Sequence, residues 1–236
     1  MYVVDLTQPL GPATVVWPGS PAPVFEVADS YERDGSFSRM VTFSEHSGTH
    51  LDAPAHFAAG TETVDQVPAE RLVCQLAVID VRERTAENSD YRLCVADIES
   101  DERRRGPITP GAAVAILTGW GERSSDARRY LGHDDDGAMH FPGVGRDAAE
   151  WLITQRRIVG IGIDTAGIDA GLDTAFEVHR EITLPRGVWH LEGLVNLERL
   201  PSRGATVFVG AIPFVGGSGA PARVIAVVSD PERDGW

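Results

Sequence analysis

Three histidines and one aspartate fall within eleven residues of this chain, His46-Ser47-Gly48-Thr49-His50-Leu51-Asp52-Ala53-Pro54-Ala55-His56. Imidazole nitrogen and carboxylate oxygen are the donors that hold zinc, manganese and related divalent ions. Two histidines four apart could share a helix face, as in zinc proteases, where a glutamate follows the first histidine. Ser47 stands there instead. Gly48 also weakens a helix, and Pro54 pushes Ala53 out of the α region. An extended reading fits better. Met40 to His46 alternates like a strand, with Val41, Phe43 and Glu45 on one side and Thr42, Ser44 and His46 on the other. Ser47-Gly48 then turns the chain, since glycine takes positive φ freely. In the extended piece that follows, His50 and Asp52 point the same way, and His46 meets them across the turn. His56, just past Pro54, can serve the site without being a ligand. A histidine-rich loop satisfied by ordinary hydrogen bonds is the competing reading.

The other chemistry-bearing residues are scattered. Gly132–Phe141 holds His133, Asp134, Asp135, Asp136 and His140. Consecutive aspartates cannot all face one ion, and the register of a calcium loop is missing, so this reads as exposed loop. The glycines of Ile158–Thr165 lack the following helix that a dinucleotide fingerprint needs. A nucleophile elbow needs Gly-x-Ser-x-Gly. Around Ser218 the last position is Ala220, which argues against a serine nucleophile. His179, in the helical pattern Ala175–Thr183, is by itself an ordinary helix histidine.

Composition narrows the classes. The 236 residues suit one domain spanning 1–236, with room for a real core. The net charge of −14 argues against a nucleic-acid partner and an anionic membrane surface. All 21 basic residues are arginine, which excludes Schiff-base and P-loop chemistry, both dependent on lysine. Cys74 and Cys94 alone make neither a disulfide framework nor a zinc ribbon. The N-terminus has no signal-peptide pattern and no run reaches membrane-spanning length. A cytoplasmic protein with no membrane partner is the expectation.

The elements that must position these residues follow from periodicity and turn signals. Met1–Leu6 reads as a β-like opening. Strands are expected at Phe25–Ser30, Phe37–His46, Arg71–Arg82, Ala112–Trp120, Ile158–Thr165, Ala205–Val215 and Arg223–Val228. Helical patterns cover Asp126–Tyr130, Gly145–Gln155 and Ala175–Thr183, and Ser89–Ile98 reads as a strand running into a helix.

The run from His46 to Phe57 closely resembles the signature H-x-G-T-H-x-D-x-P-x-H-F of the cyclase family of metal-dependent hydrolases, which includes bacterial kynurenine formamidases and isatin hydrolases. Gly187–Leu197, where an apolar run ends in Glu192 and leads to Asn196-Leu197, resembles the family's second block. The resemblance implies an α/β fold: a swivelling β/β/α-type domain with a mixed β-barrel-like sheet and flanking helices, assembled as a homo-oligomer, dimer or tetramer. It implies metal ligation by His46, His50, Asp52, His179 and Glu192, with one or two zinc or manganese ions per subunit and both carboxylates bridging. It assigns no ligand at His190, and it puts Asp164 behind the ligands. His56 is the implied general acid/base. Trp17, in Trp-Pro-Gly, and Phe141 are the implied aromatic walls for substrate, while Trp120 reads as core. The implied activity is hydrolysis of an amide C–N bond by metal-activated water, with N-formylkynurenine (giving kynurenine and formate) the first candidate. The alternative is ring opening of a cyclic amide such as isatin, or of a lactone. The loop from Asp126 to Gly143 exceeds that of compact formamidases. A non-catalytic metal- or ligand-binding protein is the reading from another class. The intact His56 argues against it.

Overall fold

The computed structural model describes residues 1–229. Its strands are β1 (Tyr2–Asp5), β2 (Val24–Asp29), β3 (Ser38–Thr42), β4 (His50–Asp52), β5 (Val73–Asp80), β6 (Arg92–Leu93), β7 (Ala113–Leu117), β8 (Gly143–Val144), β9 (Gly160–Ile163), β10 (Trp189–Glu192), β11 (Ala205–Ala211) and β12 (Gly219–Val228). Eight of them form one sheet in the order β1-β12-β11-β5-β7-β9-β10-β4. Strand β4 also pairs with the first residues of β12, which closes the ring and leaves β1 on the remainder of β12. The run β5-β7-β9-β10 is parallel and the other pairings in the sheet are antiparallel. This is the mixed, barrel-like α/β architecture that the sequence led us to expect.

Two-residue alternation sorts the core. Leu76, Val78, Ala113, Ala115, Leu117, Trp189 and Leu191 fill the barrel. Their neighbours Ile79, Val114, Ile116, Ile161 and Ile163 face outward and are covered by the helices Val95–Arg105 and Arg146–Arg156 through Ile98, Ala148 and Leu152. Parallel strands buried on both faces read as continuous apolar runs, as here. Gly160 has a packing role. A Cβ there would lie 2.3 Å from the buried Trp189 ring, so the glycine makes room for the side chain that plugs the barrel.

Several expected elements end early, each for a visible reason. The strand expected over Phe37–His46 stops at Thr42. It pairs with β2 in a separate hairpin whose outer strand is exposed throughout, with Met40 at 67% and Val41 at 40%. No second layer covers this arm, so the alternation continues past the point where a ladder could hold it. The strand over Ala112–Trp120 stops at Leu117 because Asp164 accepts hydrogen bonds from the backbone N–H groups of Thr118 (3.0 Å) and Gly119 (2.8 Å) and pulls the chain out of register. The strand over Arg71–Arg82 starts at Val73, after a helical turn over Ala69–Leu72. The helix over Ala175–Thr183 is a wide π-type turn restricted to Val178–Thr183. Asp173 accepts from the N–H groups of Ala175 and Phe176 (3.0 and 3.1 Å), and Phe176 has φ +56°. No described helix is long and apolar enough to cross a membrane.

Candidate metal centre

Register makes the site. Strands β4 and β10 are antiparallel, with His190 opposite Asp52, Leu191 opposite Leu51 and Glu192 opposite His50. The two leucines point into the barrel. Their neighbours must therefore point out, which sets His50, Asp52, His190 and Glu192 on one outer face as two cross-strand pairs. Gly48, at φ +64°, makes the expected turn and returns His46 to the same face. Thr49 Oγ1 accepts from the Gln8 N–H (2.9 Å) and donates to the Gly193 carbonyl (2.6 Å), tying the entry of β4 to the exit of β10. His179 arrives on the π-type turn, whose start is capped by Asp169 through the N–H groups of Val178 (2.8 Å) and His179 (3.2 Å).

Each of the four imidazoles is held by its outer nitrogen. His50 Nδ1–H donates to the Gly48 carbonyl at 3.0 Å. His179 Nδ1–H donates to the Asp169 carboxylate. The Ser218 hydroxyl donates to Glu45 (2.7 Å) and so accepts from His46 Nε2–H (2.9 Å). The Thr183 hydroxyl donates to the Val178 carbonyl (2.7 Å) and accepts from His190 Nε2–H (2.6 Å). The four inner nitrogens then face two carboxylates. Asp52 Oδ1 lies 2.6 Å from His46 Nδ1 and 3.2 Å from His50 Nε2. Asp52 Oδ2 lies 3.3 Å from His179 Nε2 and 3.8 Å from His190 Nδ1. Glu192 Oε1 is 3.2 Å from His179 Nε2, and its Oε2 is 3.5 Å from His50 Nε2. Glu192 Oε1 also accepts from the Ile168 N–H at 2.8 Å.

Such contacts need a proton or a cation between the two lone pairs. Asp52 and Glu192 are both buried, and an unpaired buried ion costs several kcal/mol even after relaxation. Without a metal, protons carry the compensation. Burial opposes charge on His50, but the hydrogen bond and charge of Asp52, with the charge of Glu192, lift its pKa to about 9. Burial opposes charge on His179 too, and Asp169, Asp52 and Glu192 raise it well above the ordinary imidazole range. Burial pushes Asp52 up, but the surrounding imidazoles, His46 first, hold it well below the usual carboxylate range. His190 differs: burial, then the charge of His179, lower its pKa. Converging lone pairs and shared carboxylates are the donor chemistry of a divalent cation, with the outer hydrogen bonds that orient metal-binding imidazoles. Two donor sets meet the distance requirement. Asp52, His179, His190 and Glu192 have donor atoms within 4.8 Å of one another, and so do His46, His50 and Asp52.

A cavity of about 260 Å³ opens over this cluster, lined by Trp17, Phe57, Tyr130 and Phe176 as well as His46, His56 and His179. His56 stacks on His46 with ring centres 3.9 Å apart, and its nitrogens hydrogen-bond to none of the described residues. Burial lowers its pKa to about 4, well below the value near operating pH that a catalytic imidazole suggests. Trp17 is in the cavity wall as expected. Phe141 is not: it is fully buried and packs edge-on behind Trp17 at 6.3 Å. The short helix Ala127–Leu131 of the extra loop instead delivers Tyr130, whose buried hydroxyl faces the Gln8 side chain. Trp120 is core and donates to the Tyr130 carbonyl (2.8 Å). Asp164 reaches no ligand and holds the turn at Thr118–Gly119 instead. Asp169, Thr183, Glu45 and Ser218, which the sequence reading did not place in the site, orient the imidazoles. His140 pairs with Asp134 (3.3 Å) in its own loop and with Asp90 (3.0 Å) just before β6, away from the cluster.

Residues 4–170 match the Cyclase family. The isatin hydrolase of Roseibium aggregatum is 32% identical over 243 residues, covering 96% of this chain and 91% of that protein. The kynurenine formamidase of Salinibacter ruber is 26% identical over 227 residues, covering 95% and 97%. The structure of isatin hydrolase A from Ralstonia solanacearum superposes with a TM-score of 0.90 at 34% identity, covering 97% of this chain and 92% of that one.

Proposed function

The chain belongs to the Cyclase family and is a metal-dependent hydrolase of an amide C–N bond, and we propose that it opens the ring of a cyclic aryl amide of the isatin type. The observation that carries this reading is the placement of a flat, aromatic cavity directly over the imidazole–carboxylate cluster. Trp17, Phe57 and Phe176 offer apolar faces to a planar ring, and Gln8 and Tyr130 add polar groups to the same wall. Hydrolysis of an arylformamide is the second reading, supported by the likeness to a kynurenine formamidase.

His46, His50, Asp52 and Glu192 would hold one ion and Asp52, His179 and Glu192 a second, and their mixed nitrogen and oxygen donors suit zinc or manganese. A bound ion supplies Lewis acidity toward water and the substrate carbonyl. The rest is done by side chains. Trp17 and Phe176 hold the ring. His56, uncharged at neutral pH by its burial, takes a proton from the attacking water as the new C–O bond forms. Its imidazolium is a strong acid and gives that proton to the ring nitrogen as the C–N bond breaks. No serine or cysteine nucleophile is needed.

The test is hydrolysis of isatin and of N-formylkynurenine by protein loaded with zinc or manganese, beside a chelated sample. Fast, metal-dependent isatin opening is expected. Preference for N-formylkynurenine moves the substrate to arylformamides, and inertness of the metal-loaded protein to both substrates sinks the reading. His56→Ala is expected to keep its metal and lose turnover by roughly two to four orders of magnitude. Loss of metal with it would make His56 a ligand instead.

A further inference from the structure

His190 stands at a position where the resemblance assigns no ligand. Its ring is fully buried at 0% exposure. Nε2–H is spent on Thr183, whose own proton goes to the Val178 carbonyl. That fixes the tautomer and leaves Nδ1 as a bare lone pair. Nδ1 has no hydrogen-bond partner among the described residues and points at Asp52 Oδ2, 3.8 Å away. A buried acceptor left unbonded is unfavourable, and a cation held between Nδ1 and the Asp52 carboxylate would satisfy both lone pairs.

We propose that His190 is a direct metal ligand, closing a four-donor site with Asp52, His179 and Glu192. The proposal rests on the metal-dependent reading above and gives its two donor sets different roles. Asp52 divides them: Oδ2 faces His179 and His190, and Oδ1 faces His46 and His50. Two imidazoles and two carboxylates would give this set four protein donors, the number found in closed structural zinc sites. The deep set is therefore the closed one. The side at His46, the most exposed of the four imidazoles and the one His56 stacks on, is the side a substrate carbonyl can reach. Thr183 is a positioning residue, acting through the tautomer of His190.

The experiment uses the full-length protein, stripped by chelation, labelled with ¹⁵N-histidine and titrated with zinc while the imidazole nitrogens are followed by NMR. His190 Nδ1 is expected to move from the signal of an unprotonated, unliganded nitrogen to that of a metal-bound one, together with His179 Nε2. In parallel, His190→Gln keeps a donor for Thr183 but removes the inner lone pair. Chelator competition is expected to show zinc bound about a hundredfold more weakly or worse at the deep set, since even residues behind a ligand are worth 10–100-fold. Thr183→Val, which frees the tautomer, is expected to weaken it by about tenfold. If zinc binds and His179 responds while His190 Nδ1 does not move, the proposal is overturned and the metal-dependent reading stands. If no histidine responds to zinc, both fall. The titration of the unmutated chain decides the matter even if His190→Gln fails to fold.

Discussion

The two halves of the centre are built from the same donor types by opposite means. His46, His50 and Asp52 come from one turn and the short strand after it, and their outer nitrogens rest on a hydroxyl and a backbone carbonyl. His179, His190 and Glu192 come from a helical turn and a strand, and there the outer partner of His179 is a carboxylate. Both halves line the cavity, but the His46 side chain is 21% exposed while His179 is at 5% and His190 is fully buried. A carboxylate behind an imidazole makes it a stronger donor and fixes its ring. The half around His179 is thus arranged to hold an ion more firmly than the half around His46.

Asp52 and Glu192 are common to both, and Asp52 alone faces all four imidazoles, so its removal is the largest expected effect. Asp52→Asn leaves a neutral amide where four imidazoles converge. Both sets are expected to lose metal by elemental analysis, and activity is expected to fall by about three orders of magnitude or more, since an ion contributes several kcal/mol to the transition state and each 1.36 kcal/mol is a factor of ten. A variant that still holds an ion in one half would show that the halves bind independently.

The same contrast explains what could be read in advance. The first half was legible because its donors fall within eleven residues and a glycine and a proline mark the turn. The strands and helices along the chain were legible too, because strands buried on both faces and an amphipathic helix have distinct periods, whereas the closure of the sheet into a barrel was implied only by the resemblance. Glu192 and His179 could be placed only by resemblance, since their meeting with Asp52 depends on the β4–β10 register, which no local pattern encodes. Asp169 and Ser218 were out of reach for the same reason: nothing near either residue marks it as the acceptor for a histidine brought in from another element. Ser218 was weighed only as a nucleophile, and its hydroxyl instead bridges Glu45 and His46. The arm at β2–β3 shows the reverse error. Its alternation is real, but no layer covers it, so the expected strand ran on to His46 while the ladder ends at Thr42.

Removing the support behind each half sharpens the comparison. Asp169→Asn takes the charge from behind His179 and is expected to weaken zinc binding by roughly a hundredfold, against about tenfold for Ser218→Ala, which removes only a neutral acceptor from His46. Both are measured by chelator competition. Equal effects would mean that the carboxylate does nothing a hydroxyl cannot do, and the distinction between a firmer and a looser half would be lost.

The smallest expected effect is a slope in pH. His50 has its pKa raised to about 9, above the unfolded value near 6.5. In the metal-free protein its charge therefore contributes stability that is fully present below about pH 6.5 and lost as the pH rises through about 9. Metal affinity runs the other way, because the ion must displace that proton and the one on His179, whose pKa Asp169 and the two shared carboxylates raise well above the ordinary imidazole range. Zinc affinity is expected to climb by about tenfold per pH unit for each proton displaced between pH 6.5 and 8.5. Calorimetry in buffers of different ionisation enthalpy counts those protons directly. Asp169→Asn, by lowering the hold of His179 on its proton, is expected to reduce the number released, while Ser218→Ala leaves it unchanged. If the unmutated protein releases no proton on binding zinc at pH 7.5, the inner nitrogens are not the ligands, and the ion sits elsewhere than between the imidazoles and Asp52.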